Sequence, residues 1–274
     1  MSIFFSTHAY ALGWQLGIDE AGAEFRRQCE APDNDSLPCV RTLQRLRHID
    51  ECGAWCDSGS TRLGHSRSLA FDAALHSGCD IWVTCDDDCE ADLATLRSMV
   101  EAVRSGPNAC IAPFWARAPE PRVDVTLSPC GSCRTLPNGA KLLRAKAAGM
   151  GLTVMSRSAM VLIAQANQGL VYRDAVGVER LALFIEAIRP KDLAWMGEDL
   201  AFWTRVPPSV LIEVIATGTT VHAGRILDLE LICRAVSQEL VDLDALRALD
   251  SDRLSPEADR ASQKPSQIQG LKTP

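Results

Sequence analysis

Short β-forming apolar runs alternate along this chain with stretches in which apolar residues recur at helical spacing. Ser2-Ile3-Phe4-Phe5-Ser6-Thr7 opens it as a compact apolar run and predicts a strand. Residues 16–30 are mixed and helix-compatible, interrupted by Gly17 and Gly22, and 31–36 reads as a turn. Val40, Leu43, Leu46 and Ile49 recur at every third position, which predicts a helix between Leu37 and Cys52 with Arg41, Arg45 and Arg47 solvated on other faces. A Gly/Ser-rich loop over 57–67 leads into a helical stretch at 68–76. Ile81-Trp82-Val83 predicts a buried strand that ends abruptly in Asp86-Asp87-Asp88. Leu93, Leu96, Met99, Val100 and Val103 then predict an amphipathic helix, and 109–113 a further strand.

Between Phe114 and Ala148 the periodicity lapses and Pro and Gly accumulate, which predicts an excursion from the core. Ala148-Gly149-Met150-Gly151-Leu152 reads as a glycine turn into a buried strand, and Ser156 is placed to cap a helix over 157–166. Glu198 and Asp199 open a short helix, 210–215 is a strand, and 219–222 is another that ends in His222. The apolar pattern from Asp228 to Leu249 is helical. Beyond Ser251 the chain is polar and is expected to be disordered. This order of elements predicts an α/β sandwich on a mainly parallel sheet.

Composition narrows the function classes. With 274 residues, 47% of them hydrophobic, the chain can bury a sizeable core as one large domain. A net charge of −7 argues against broad electrostatic binding to nucleic acid or anionic membrane. No signal-peptide pattern and no apolar run of membrane-spanning length stand in the sequence, so a cytoplasmic location is expected. Eleven cysteines, an odd number, then read as reduced thiols, most of them buried. Cys130-Gly131-Ser132-Cys133 forms one CxxC, but Cys52 and Cys56 lack the spacing of a second knuckle and no histidine pair completes four zinc ligands. From Arg117 to Lys146 the local balance is opposite to that of the whole, at +4. Such a segment either meets an anionic ligand or carries scattered solvated charge.

The acidic triplet is the strongest chemical signal. Three adjacent carboxylates at a strand end repel unless something compensates them: a divalent cation sharing its shell with phosphates would do so, whereas Asp86 or Asp88 could instead cap the next helix. Thr7 and His8 stand at the end of the first strand, where open α/β sheets bind ligands, and either face a nucleotide base or form an ordinary loop. Arg62 or Arg67, in a glycine-bearing loop that opens a helix, could meet phosphate.

The motifs Gly64-His65-Ser66-Arg67-Ser68, Asp86-Asp87-Asp88, Ala148-Gly149-Met150-Gly151-Leu152, Gly197-Glu198-Asp199 and Val221-His222-Ala223-Gly224, in that order, resemble the GT-A fold glycosyltransferases, particularly family-2-like inverting enzymes. The resemblance covers residues 1–225, with 114–148 as a variable acceptor-side region, 226–250 as a C-terminal helical extension and 251–274 as the tail. It implies a Rossmann-like α/β/α sandwich and a metal-dependent transfer from a nucleotide sugar, uridine-linked, to an acceptor hydroxyl with inversion. Asp199 matches the catalytic base, with Glu198 supporting it or orienting the acceptor. Asp88, Asp86 and His222 match the ligands of Mn²⁺ or Mg²⁺. Thr7, His8, Arg62, Arg67, Asp86, Asp87, Gly149 and Gly151 fall to the donor, and Arg117, Arg122, Arg134 and Trp195 to the acceptor side. The family's second strand is hard to find, Asp57-Ser58-Gly59-Ser60 being either its remnant or part of the following loop. A sugar-phosphate nucleotidyltransferase-like enzyme and an inactive nucleotide-sugar-binding protein are the alternatives. The +4 segment admits an anionic acceptor, a lipid diphosphate or a modified DNA base.

Overall fold

The computed structural model describes residues 2–8, 27, 37–57, 63–115, 123, 125–128, 133–174, 177–189, 193–230 and 232. In chain order the elements are β1 (Ser2–His8), α1 (Pro38–Arg47), β2 (Glu51–Asp57), α2 (Leu63–Ser77), β3 (Ile81–Asp86), β4 (Cys89–Ala91), α3 (Leu93–Arg104), β5 (Asn108–Ala112), β6 (Val125–Leu127), β7 (Cys133–Thr135), β8 (Lys141–Ala148) and β9 (Leu152–Ser156). There follow α4 (Arg157–Ala166), β10 (Val171–Arg173), β11 (Glu179–Leu181), β12 (Ala187–Arg189), β13 (Ala194–Met196), α5 (Glu198–Trp203), β14 (Leu211–Ile215), β15 (Thr219–His222) and β16 (Arg225–Asp228).

Nine strands form the central sheet in the order β2-β1-β3-β9-β5-β14-β8-β6, with β7 also on β8. Only β8 and β9 run against the common direction. Alternation along β3 divides the core between the two faces of this sheet. Ile81, Val83 and Cys85 pack with Val40, Leu43 and Leu46 of α1 and Leu96 and Met99 of α3. Trp82 packs on the other face with Phe71 of α2, Met160 of α4 and Phe202 of α5. The α/β sandwich on a mainly parallel sheet is therefore the observed architecture.

Several local expectations change. The first described helix ends at Arg47 rather than Cys52, and the chain turns into β2, which pairs in parallel with β1 from Ser2↔Glu51 to His8↔Asp57. β2 ends at Asp57. It lies at the sheet edge with Glu51, Gly53 and Ala54 exposed, so it carries no apolar run to mark it. Arg41 and Arg45 are not simply solvated: Arg41 Nε donates to Glu90 Oε2 at 2.9 Å, and Arg45 lies 2.6 Å from Glu90 Oε1. Burial opposes ionisation of Glu90, but its two arginines prevail and hold its pKa below the ordinary value. Within the supposed excursion, β8 is an eight-residue strand of the main sheet that buries Leu142, Leu143, Ala145 and Ala148. The predicted C-terminal helix begins in β16, and 233–274 lie outside the described residues, as do 9–26.

Among the described residues, Cys39, Cys79, Cys85, Cys89 and Cys110 are buried free thiols, Cys52 is half-buried and Cys133 is exposed. No described helix is long and apolar enough to cross a membrane.

Candidate active site

The C-terminal end of β3 and the first turn of α5 deliver three carboxylates to one buried guanidinium. Arg67, in the second turn of α2, has a side chain only 1% exposed. Its Nη2 donates to both oxygens of Asp86, at 2.9 and 3.0 Å. Its Nη1 donates to Glu198 Oε1 at 3.1 Å and also to Asp199 Oδ1. Burial would lower the pKa of Arg67, but Asp199, Asp86 and Glu198 outweigh it and raise it above the ordinary value. Asp86 is pushed up to about 6, because burial outweighs the attraction of Arg67 and the repulsion of Asp199 adds to it.

The glycine turn between β8 and β9 closes this cluster. Asp199 Oδ2 accepts from the Met150 N–H at 3.0 Å, while the Gly151 carbonyl accepts from the Asp86 N–H at 2.8 Å. Gly149 and Gly151 flank Met150, whose side chain is buried, so the turn meets the acids through its backbone. Both oxygens of Asp199 are thus occupied, whereas Glu198 meets Arg67 through Oε1.

His8 sits beside Asp86 in the β1–β3 register. Its Nδ1 is 2.6 Å from Ser66 Oγ, and burial, then the charge of Arg67, pushes its pKa well below the usual histidine value. It is a neutral, enclosed imidazole. Thr7 is fully buried and its hydroxyl has no hydrogen-bond partner among the described residues. Asp87 is nearly buried, and its backbone carbonyl faces the Cys39 N–H of α1 at 3.5 Å.

The third acid of the triplet points elsewhere. In the small sheet β16-β15-β4, His222 lies directly opposite Cys89. His222 Nε2 is 3.2 Å from Asp88 Oδ2, and its Nδ1 is 2.6 Å from the Trp115 carbonyl. A carbonyl only accepts, so Nδ1 carries a proton and Nε2 turns towards the carboxylate. Two facing acceptors are reconciled by a second proton or by a cation between them. A backbone carbonyl behind a ligating histidine is the usual way of orienting it. Asp88 and His222 therefore fit a divalent cation, while Asp86 gives both oxygens to Arg67.

Capping does not explain the triplet. Asp92 is the residue at the start of α3, where it accepts from the Thr95 N–H at 2.8 Å.

Of the four acceptor-side residues, Arg134 and Trp195 lie among the described residues. Arg134 is held by buried Glu213 of β14 through bonds of 2.9 and 2.6 Å. Trp195, 66% exposed in β13, lies three residues before Glu198, the first residue of α5. Arg62, Arg117 and Arg122 lie outside the described residues. Residue-by-residue reading overlooked Cys89, the Trp115 carbonyl and the Met150 N–H. Cys89 had a signal in its place next to the triplet; the two backbone groups had none.

A scan of protein families finds no match to this chain, and neither does a search of curated proteins. Among solved structures, A197 from STIV is similar at 12% identity with a TM-score of 0.43, covering 81% of this chain and 85% of its own. GalNAc-T7, solved with UDP, GalNAc and Mn²⁺, is similar at 11% identity and a TM-score of 0.42 over 81% of this chain, which spans 43% of that protein. S. aureus TarS 1–349, in complex with UDP-GlcNAc, is similar at 11% identity with a TM-score of 0.37, covering 89% of this chain and 68% of that one.

Proposed function

We propose that this protein is a metal-dependent glycosyltransferase that moves a sugar from a nucleotide-sugar donor, uridine-linked, to an acceptor hydroxyl with inversion. One observation carries the reading: the two acidic motifs and His222 come together at the end of the sheet in two clusters with different chemistry. Asp86, Glu198 and Asp199 surround Arg67, and Asp88 faces His222.

Asp88 and His222 are the residues that would hold Mn²⁺ or Mg²⁺, which when bound supplies positive charge to a departing diphosphate. Asp86 and the half-exposed backbone of Gly149 and Gly151 are positioned for the donor. His8, neutral and enclosed, supports that wall through Ser66 rather than by charge. Asp199, the base in this reading, is oriented by the Met150 N–H and Arg67, and it would accept the acceptor's proton on a remaining carboxylate lone pair. Its double engagement favours a second reading in which Glu198 takes that proton and Asp199 holds the turn. Trp195 next to α5 is suited to flank the acceptor.

The test is calorimetric titration with a panel of nucleoside diphosphates and nucleotide sugars, with Mn²⁺ and with chelator, on wild type and Asp88→Ala. Metal-dependent binding of one nucleoside diphosphate, lost in the variant, is the expected result. Absence of binding to every member by folded protein would sink the proposal. With the donor known, sugar transfer or donor hydrolysis by Asp199→Asn and Glu198→Gln separates the two bases. The variant lacking the base should lose at least about 100-fold in kcat.

A further inference from the structure

Cys89 belongs to the same small cluster as Asp88 and His222. The ligand-capable atoms of these three residues all lie within 4.8 Å of one another. Directly opposed residues of an antiparallel pair project to the same face, and Cys89 and His222 are such a pair. Cys89 Sγ is 3.7 Å from Asp88 Oδ1, and His222 Nε2 is 3.2 Å from Asp88 Oδ2. With metal–sulfur about 2.3 Å and metal–nitrogen or metal–oxygen about 2.0 Å, the edges of a tetrahedral zinc site are about 3.3–3.5 Å. The two separations, each to a different oxygen of Asp88, lie close to those edges, and the third pair, Cys89 and His222, lies within 4.8 Å.

The surroundings leave the thiol this place. A Cβ added at Gly151 would come within 2.8 Å of Cys89 Sγ and 3.1 Å of the Phe114 ring. Phe114 also meets His222 edge-on, with ring centroids 5.8 Å apart. The cluster thus has an apolar wall on one side and the Trp115 carbonyl behind its histidine.

We infer that Asp88, Cys89 and His222 form a mixed oxygen, sulfur and nitrogen site selective for a thiophilic divalent cation, Zn²⁺ or Co²⁺, over Mg²⁺. The inference rests on the metal-dependent reading of this site and adds a ligand to it. Sulfur is a poor ligand for Mg²⁺ and a good one for Zn²⁺ and Co²⁺, so the third ligand decides the preference. On coordination the thiol proton leaves to bulk water and the sulfur binds as thiolate. Three protein ligands leave a fourth tetrahedral position open for a phosphate oxygen or water.

The test is absorption-monitored titration with Co²⁺ alone, in a Cys133→Ser background that removes one sulfur of the CxxC pair. The expected result is one equivalent of Co²⁺ bound with a sulfur-to-cobalt charge-transfer band. That band should vanish in Cys89→Ser and in His222→Gln, each checked for its folding transition. In competition, Zn²⁺ should bind at least 100-fold more tightly than Mg²⁺, with the ratio falling at least tenfold in Cys89→Ser. Should Cys89→Ser not fold, zinc K-edge absorption on the Cys133→Ser protein replaces it, and a sulfur neighbour lost in His222→Gln is the expected result. Binding through Asp88 and His222 without a sulfur contribution overturns the inference and leaves the metal-dependent reading standing. Failure of every cation to bind alone overturns the inference, and the metal-dependent reading is then decided by the titration with nucleoside diphosphates.

Discussion

Arg67 shows how a buried cation governs the acids around it. Its guanidinium reaches Asp86 through Nη2 and Glu198 and Asp199 through Nη1, so two fixed nitrogens of one planar fork divide the three acids between them. Arg67→Met should therefore destabilise the protein by about 3 kcal/mol or more in urea denaturation, because three carboxylates are left without their counter-charge. Adding Asp86→Asn should recover part of that loss. A loss under about 1 kcal/mol, typical of exposed pairs, would show that Arg67 is not the compensating cation. His8 makes a second residue-scale prediction. Its pKa lies well below 6.5 in the fold, so as pH falls below about 6.5 the unfolded chain takes up a proton that the native protein refuses. Stability from this group is lost on acidification, by up to about 1.4 kcal/mol per pH unit. Asp86, raised to about 6, acts oppositely between its unfolded value and pH 6, where the native state holds the extra proton. Comparison with His8→Asn isolates the histidine: the advantage of wild type over the variant should shrink as pH is lowered from 7 to 5. A constant difference would mean that His8 does not titrate abnormally.

At the scale of elements, Asp92 joins the start of α3 to the strand that carries His222. One carboxylate oxygen accepts from Thr95 N–H at 2.8 Å, and the other accepts from Thr219 N–H at 2.8 Å. Asp92→Ala should cost about 1–2 kcal/mol as a lost cap, and it should also weaken cation binding because β15 loses the side-chain tie at its first residue and keeps the backbone bond from Asp92 N–H to the Thr219 carbonyl. A stability loss with unchanged cation affinity would confine Asp92 to capping. The elements that were legible in the sequence are those whose pattern has one reading: β3 and β9 as buried β-forming runs, and α3 with its amphipathic stripe. β2 escaped because an exposed edge strand needs no apolar alternation. β8 escaped because Lys141-Leu142-Leu143-Arg144-Ala145-Lys146-Ala147-Ala148 is composed of helix-favouring residues held as a strand by β14 on one side and β6 and β7 on the other. The same distinction applies to the site. The acids stood out because like charges in sequence demand compensation. That Cys89 would oppose His222, and that Arg67 would join the ends of β3 and α5, depend on register and helix packing, which no local pattern encodes.

Across the whole molecule, the small sheet brings residues 89–91 and 219–222 together, so a cation held by Asp88 and His222 links the middle of the chain to its later part. A ligand that binds only the native state stabilises it by mass action, by about 2.7 kcal/mol at a concentration 100 times its dissociation constant. For a domain of this size that corresponds to a rise in Tm of roughly 5–10 °C. The expected outcome is a rise of this order with a saturating divalent cation, reversed by chelator and absent in Asp88→Asn and His222→Gln. Gly151→Ala provides a separate check on geometry, since its methyl would press on Cys89 Sγ and the Phe114 ring without removing any ligand. Overpacking should lower its Tm without cation and diminish the cation-induced rise. A full rise in Asp88→Asn would assign the stabilising ion to another place on the protein. A full rise in Gly151→Ala, with Asp88→Asn silent, would mean that the cation is held without contact to the wall formed by Gly151, Cys89 and Phe114.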